Sequence, residues 1–170
     1  MAIPPFAYVI EPLAKHHNRS DFHCGSEALD RYLQEQASQD LRRYLAAVFV
    51  LQDLEQKRIA GYYTLAATAI QLADLPAELT RKLPKYPKIP ATLLGRLGVE
   101  QRYQGLGLGT FLLFDAMNRS LRSEVASMAV VVDAKNDQAK AFYEYHQFIP
   151  FPQQPLRLYL PMATIKKMLG

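Results

Sequence analysis

A mixed α/β fold of the α+β type is what the amino-acid sequence predicts, on three observations. Two apolar, β-branched or aromatic runs, Ala46 to Leu51 and Arg58 to Ala69, flank the polar Gln52 to Lys57 and read as an antiparallel hairpin. A glycine-rich segment from Gly105 to Gly109 stands between an apolar strand, Thr92 to Val99, and a helical pattern over Leu108 to Leu121. A second amphipathic helix, Asp137 to His146, lies between the apolar strand Ser127 to Val132 and a closing strand, Leu156 to Leu160.

The remaining elements come in chain order. Phe6 to Leu13 alternates and is flanked by prolines, as an edge strand would be. After a polar loop, Ser26 is placed to cap a helix running to about Arg43, with Leu29, Leu33, Ala37 and Leu41 at four-residue spacing and Tyr32 beside them. Asp74 to Pro90 is a proline-punctuated connection with one helical turn expected inside Glu78 to Leu83. Pro161 is suited to open a last short helix. The 170 residues fit a single domain, 1–170, of a size that buries roughly 70% of its unfolded surface.

Composition narrows the function. With 49% hydrophobic and 21% charged residues the chain is neither disordered nor fibrous. No apolar run approaches the roughly 18 residues that span a bilayer, and Met1 to Phe6 lacks the regions of a signal peptide, so a cytoplasmic location is expected. The single Cys24 agrees with a reducing compartment, and we expect a half-buried thiol there rather than a nucleophile paired with His23. His16, His17 and His23 share one polar loop and His146 lies elsewhere, a spacing that suits no metal site, so none is expected. The net charge of +4 is unevenly spread. Leu79 to Val99 holds Arg81, Lys82, Lys85, Lys88 and Arg96 with no acid, and Tyr145 to Gly170 is also free of acids. A positive face for an anionic partner is the reading.

A strand-to-helix turn without Cβ atoms lets a phosphate approach the unpaired N–H groups and positive dipole end of the helix. Several folds use such turns. A P-loop requires Lys and Ser or Thr after the last glycine, whereas Gly109 is followed by Thr110-Phe111. A Rossmann fingerprint belongs after the first strand of a βαβ unit with G-x-G-x-x-G spacing, whereas this chain has G-x-G-x-G deep in its length and after a hairpin.

The third reading is Arg102-Tyr103-Gln104-Gly105-Leu106-Gly107, which resembles the R-x-x-G-x-G pyrophosphate loop of the GNAT-family N-acetyltransferases. Asn136-x-x-Ala139-x-x-x-Tyr143, with Phe142 before Tyr143 and Phe148 after it, resembles that family's second coenzyme-contacting motif. One departure is Gln147 where the family has glycine; a positive φ there carries a strain that glycine avoids. The resemblance covers nearly the whole chain. Phe22-x-Cys24-Gly25, Gly61-Tyr62-Tyr63-Thr64-Leu65, Ile89-Pro90-Ala91 and Leu94-Gly95-Arg96-Leu97 are closer still to the GNAT toxins of type II toxin–antitoxin modules.

That resemblance implies a mostly antiparallel central sheet with splayed central strands flanked by helices. It implies acetyl-CoA as co-substrate, with its pantetheine along the backbone of Leu97, Gly98 and Val99. Arg102, Gln104, Gly105, Leu106, Gly107, Leu108, Gly109 and Thr110 would hold the pyrophosphate, and Asn136, Ala139 and Phe142 would complete the site. It further implies acetylation of the α-amine of an aminoacyl-tRNA, a block of translation, and neutralisation by a small ribbon-helix-helix antitoxin, and a homodimer would suit so large an RNA. Arg42, Arg43, Arg81, Lys82, Lys85 and Lys88 are the candidates for tRNA phosphates. Tyr143 matches the family's proton donor to the departing thiolate; its other reading is a buried anchor for its helix. An α-amine of pKa about 7.7–8.0 is partly neutral near pH 7, which leaves little work for a general base. Glu100 is either that base, through water, or a solvated loop carboxylate. Acetylation of a small amine or a protein, without a toxin role, uses the same residues. A non-catalytic acetyl-CoA sensor and a pure nucleic-acid binder are the readings from other classes.

Overall fold

The hairpin, the edge strand before it and the strands after it form one seven-stranded sheet in this computed structural model, which describes residues 7–170. The strands are β1 (Tyr8–Pro12), β2 (Ala47–Asp53), β3 (Arg58–Gln71), β4 (Lys88–Val99), β5 (Ala129–Asp133), β6 (Ile149–Phe151) and β7 (Gln154–Pro161), in the order β1-β2-β3-β4-β5-β7-β6. β1 lies at an edge as expected, although the Phe6 start of the predicted strand falls outside the described residues. The β1–β2, β2–β3, β5–β7 and β6–β7 pairs are antiparallel; β4 and β5 are parallel, and their register covers only Thr92 to Leu94 against Val130 to Val132. The helices are α1 (Glu27–Arg31), α2 (Ala37–Arg42), α3 (Ala77–Thr80), α4 (Leu108–Arg122), α5 (Asp137–Tyr145) and α6 (Met162–Leu169). The fold class is the expected one.

The chain divides into two compact units. The first holds the described residues up to Ala66 together with Gly95–Ala116, and the second holds Ala67–Leu94 and Met117–Gly170. Each has its own apolar cluster. In the first, Leu13, Phe22, Tyr32, Leu33, Ala37, Val48, Val50, Ile59 and Tyr62 pack together, and Val48 and Val50 show why β2 alternates. In the second, Ile70, Leu75, Ile89, Ala91, Ala129, Val131, Phe151 and Tyr159 do so. β5 is buried on both faces from Ala129 to Val132, which is why its sequence is uniformly apolar.

Three sequence expectations change. The helix from Ser26 is capped as predicted, Ser26 Oγ accepting from Leu29 N–H at 3.4 Å, but Tyr32–Gln36 between α1 and α2 is a π-helical turn. The four-residue spacing contains the reason: on an α-helix each such step overshoots a full turn by about 40°, so the stripe would drift by about 120° from Leu29 to Leu41. One wide turn returns it to the core, where Leu33 and Ala37 are fully buried. β4 begins at Lys88 rather than Thr92, since Pro90 keeps a carbonyl that accepts from Met128 N–H at 2.8 Å although it lacks a donor. β6 was unforeseen because Pro150 reads as a loop residue; a sheet edge tolerates it.

Gln147 does sit at φ +74°, just after α5. Replacing it with glycine removes the steric cost of a Cβ in the left-handed region. Gln147→Gly is expected to raise the unfolding free energy by about 0.5–1 kcal/mol in a denaturant titration. A lower midpoint would show that the Gln147 side chain makes a compensating contact.

Candidate functional site

In the first unit the site is built where β4 runs out. β4 ends at Val99, a 3-10 turn at Gln101–Tyr103 comes next, and α4 starts at Leu108 with Phe111 N–H donating to the Gly107 carbonyl at 3.1 Å. Gly105 and Gly107 are both exposed at φ +82°, and a Cβ on either would meet no heavy atom within 4 Å. The backbone therefore demands glycine for its angle, and the space a side chain would fill is open to a ligand. The first N–H groups of a helix lack acceptors within it and carry a partial positive charge, the chemistry a pyrophosphate requires. Gly109 is different from the other two: it lies inside the first turn of α4 and is not part of the left-handed turn. Leu106 is half-buried, Leu108 is buried in the core and Thr110 is half-buried.

The loop is held by side chains that sequence reasoning assigned otherwise or missed. Glu100 is neither a solvated carboxylate nor placed as a free base. It is 3% exposed, and its carboxylate accepts from Arg102 N–H at 2.7 Å and from Arg102 Nε–H at 3.2 Å. Burial raises its pKa above the usual carboxylate range, against the lowering effect of Arg58 and His23. Arg102, expected at the pyrophosphate, thus has its Nε committed to Glu100 while its side chain is half-exposed. Gln104 donates from Nε2 to the carbonyls of Cys24 and Val99, at 2.8 and 2.9 Å, and so ties the loop to the end of β4 and to the segment before α1. Tyr103 is buried and donates to Asp53, which also accepts from Glu55 and Gln56 N–H in the β2–β3 turn. Burial and then Asp53 push the Tyr103 phenol well above its ordinary pKa. An Asp opening a polar turn was the available signal for Asp53.

Leu97, Gly98 and Val99 close β4. Gly98 is buried, with Leu29 Cδ1 and Cys24 Sγ at 3.4 and 3.5 Å from where its Cβ would stand. Cys24 is half-buried, its N–H bonded to Asp30, in keeping with a structural thiol. Arg96, counted in the positive stretch, lies 3.5 Å over the Tyr32 ring and is committed there.

In the second unit the Asn136-x-x-Ala139 spacing is a helix cap: Asn136 Oδ1 accepts from Ala139 N–H at 2.8 Å and starts α5. Phe142 and Phe148 meet the Tyr143 ring edge-on at centroid distances of 5.2 and 5.3 Å. Burial pushes the Tyr143 phenol up to about 12, so it holds its proton throughout the physiological range. Arg81, Lys82, Lys85 and Lys88 are all exposed in this unit, as are Arg42 and Arg43 in the first. The second unit carries 11 Lys and Arg against 6 Asp and Glu, so it holds the whole of the positive excess.

Glu11, His16 and His17 place ligand-type atoms within 4.8 Å of one another. His17 Nδ1 accepts from Ala14 N–H at 2.9 Å, which puts the ring proton on Nε2, 2.8 Å from Glu11. A cation at Nε2 would have to move that proton onto Nδ1, against the Ala14 N–H. The cluster is a hydrogen-bonded pair with an exposed neighbour.

Residues 10–148 match the acetyltransferase (GNAT) family. A probable toxin TacT of Sinorhizobium fredii (strain NBRC 101917 / NGR234) is 31% identical over 172 residues, covering 95% of each chain. A tRNA-acetylating toxin of Mycobacterium tuberculosis (strain ATCC 25618 / H37Rv) is 33% identical over 153 residues, 89% of this chain and 90% of its own. The solved structure of AtaT complexed with acetyl-methionyl-tRNAfMet has a TM-score of 0.88 at 29% identity, covering 96% of this chain and 99% of that one. A mutant AtaT bound to the C-terminus of the antitoxin AtaR and acetyl-CoA has a TM-score of 0.81 at 25% identity, with the same coverage.

The Glu100 geometry separates a positioning role from general-base catalysis. Glu100→Gln is expected to raise KM for acetyl-CoA several-fold and leave kcat within about twofold in steady-state kinetics, where loss of a general base would cost about 10²–10⁴ in kcat.

Proposed function

Because the chain belongs to the acetyltransferase (GNAT) family, we propose that it transfers the acetyl group of acetyl-CoA to the α-amine of an aminoacyl-tRNA and acts as the translation-blocking toxin of a type II toxin–antitoxin module. The observation that carries the donor half is the open turn of Gly105 and Gly107 at the start of α4, continuous with β4. Gly105, Leu106, Gly107, Leu108, Gly109 and Thr110 supply backbone donors to the pyrophosphate, and the main chain of Leu97, Gly98 and Val99 pairs with the pantetheine. Arg102 and Gln104 keep that loop in place, and Asn136, Ala139 and Phe142 frame the helix that carries Tyr143.

Acetyl-CoA brings an acetyl group already activated as a thioester. The chain supplies orientation and one proton: the Tyr143 phenol, un-ionised at neutral pH, donates to the departing thiolate. No strong base is required, since an α-amine is partly neutral near pH 7. The acceptor reading is supported by relatives that act on tRNA and by the positive excess of the second unit. Arg42, Arg43, Arg81, Lys82, Lys85 and Lys88 contact tRNA phosphates. The antitoxin partner is a small ribbon-helix-helix protein, the active form is a homodimer built from one domain per chain, and the reaction takes place in the cytoplasm. No helix among the described residues is long and apolar enough to cross a membrane.

Tyr143→Phe is expected to lower turnover by about 10²–10⁴-fold with acetyl-CoA binding nearly intact. Wild type and variant, expressed without a partner, are scored for growth and incubated with labelled acetyl-CoA and total charged tRNA. Growth arrest and tRNA labelling by wild type alone are expected; equal growth with no labelled tRNA overturns the toxin reading and leaves a general acetyltransferase. With its pKa near 12, Tyr143 contributes no loss of rate on the alkaline side below about pH 10, and a Tyr143-dependent fall near pH 8 would contradict its role as a neutral donor.

A further inference from the structure

The C-terminus of α2 presents an aromatic ring to solvent at a backbone cost. Arg43 N–H donates to Gln39 O at 3.0 Å, Tyr44 N–H to Leu41 O at 3.3 Å and Leu45 N–H to Asp40 O at 2.9 Å, the bonding pattern of a Schellman cap. The left-handed position of that cap is usually glycine; here it is Tyr44, at φ +59°. Tyr44 is 94% exposed and Leu45 is 61% exposed, so neither ring nor side chain repays the strain by packing on its own chain. Leu45 leaves unused the apolar contact that usually accompanies such a cap.

The chemistry around the ring favours one kind of partner. Arg42 and Arg43 directly precede it and are exposed, and Arg43 acts on the Asp40 carboxylate only as one of several groups that lower its pKa, after its hydrogen bonds from Gln36 and Tyr32. Residues 41–52 contain no acid, and the nearby Asp40 carboxylate is occupied by the Tyr32 hydroxyl at 2.8 Å and Gln36 Nε2 at 2.9 Å. Two exposed arginines that adjoin a solvent-facing ring in the chain combine charge for phosphates with a stacking platform, the combination by which proteins hold unpaired nucleotides. A duplex offers phosphates but no free base faces, so a fully stacked helix would use the arginines and leave Tyr44 idle.

We infer that Tyr44, with Arg42 and Arg43, is a docking site for unpaired nucleotides of the RNA substrate, the ring stacking on a base while the arginines take the flanking phosphates. This rests on the proposed tRNA acceptor and adds a recognition element to it. Loss of one stacked base weakens binding by roughly tenfold.

The chain has no tryptophan, so Tyr44→Trp places a single fluorophore at the site. Titration with total deacylated tRNA is expected to quench it saturably, with weaker binding as salt rises, while a blunt RNA duplex leaves it unquenched. No quenching by tRNA, or equal quenching by the duplex, overturns the site. In parallel, Tyr44→Gly relieves the strained cap and is expected to raise Tm, yet to raise KM for charged tRNA about tenfold with KM for acetyl-CoA unchanged. An unchanged tRNA KM overturns the inference, as does a shift in oligomeric state on size exclusion, which would make Tyr44 a subunit contact. Failure of wild type to label charged tRNA defeats the proposed reaction instead, and the fluorescence titration still decides whether the ring stacks on RNA.

Discussion

The first unit depends on a single close approach, where Gly61 of β3 meets Gly98 of β4 beneath Leu112 of α4. A Cβ on Gly61 would lie 2.8 Å from Leu112 Cδ1 and 3.0 Å from the Gly98 carbonyl. The leucine tip can shift, but the carbonyl belongs to the backbone that ends in the candidate site and cannot move without moving it. Around this point the other contacts are arranged to keep α4 seated: Tyr63 donates to Asp115 at 2.6 Å, and Glu100 N–H donates to Ala60 O at 2.9 Å. The helix N-terminus is thereby fixed relative to the strand that precedes it. Two glycines then suffice to turn the chain between them.

The loop is anchored by the buried Tyr103 ring, which meets Tyr8 edge-on, and by polar groups on either side of it. Glu100 caps the turn, Gln104 bridges two carbonyls and Tyr103 reaches into the hairpin for Asp53. Each of these bonds commits a side chain to the loop's own framework, and together they fix the backbone that leads into the glycine turn. Binding by main chain needs little rearrangement, which is the energetic benefit of preorganised donors. In the second unit Asn136 works in the same manner: its carboxamide secures the first turn of α5, and the aromatic neighbours of Tyr143 supply the burial that keeps the phenol protonated.

Much of the fold was legible in the residues. The hairpin, the edge strand, the closing helix and the glycine turn between strand and helix are dictated by alternation and by proline and glycine positions, and Gln147 was recognisable as a strained substitute before its φ of +74° was known. What escaped is set by surroundings that the order of residues does not display. No local pattern announces that Glu100 is buried, because its partner is a guanidinium two residues away that reads as a ligand-binding residue. Asp53 and Tyr103 are 50 positions apart, and their pairing depends on β2, β3 and β4 lying side by side in the sheet, not on spacing. Gly109 resembles its two neighbours in sequence but is helical, since a helix start carries no mark separating it from the turn that feeds it. β6 was hidden by Pro150, a residue whose meaning changes once a strand is known to lie at an edge.

The π-helical turn at Tyr32–Gln36 also governs the direction in which the end of α2 points. A wide turn absorbs one residue more than an α-helical turn, so the downstream residues lie about 100° from where a regular α-helix of the same residues would place them. The orientation of Arg42, Arg43 and Tyr44 about the helix axis is therefore set a full two turns upstream, by a backbone irregularity that none of them touches. Shortening the segment by one residue would remove the wide turn and leave the C-terminal face where it is, whereas straightening the turn at constant length would swing that face by about 100°. One residue can therefore be gained or lost at that turn without changing which side of the helix end meets a partner, and without touching any residue of the candidate site.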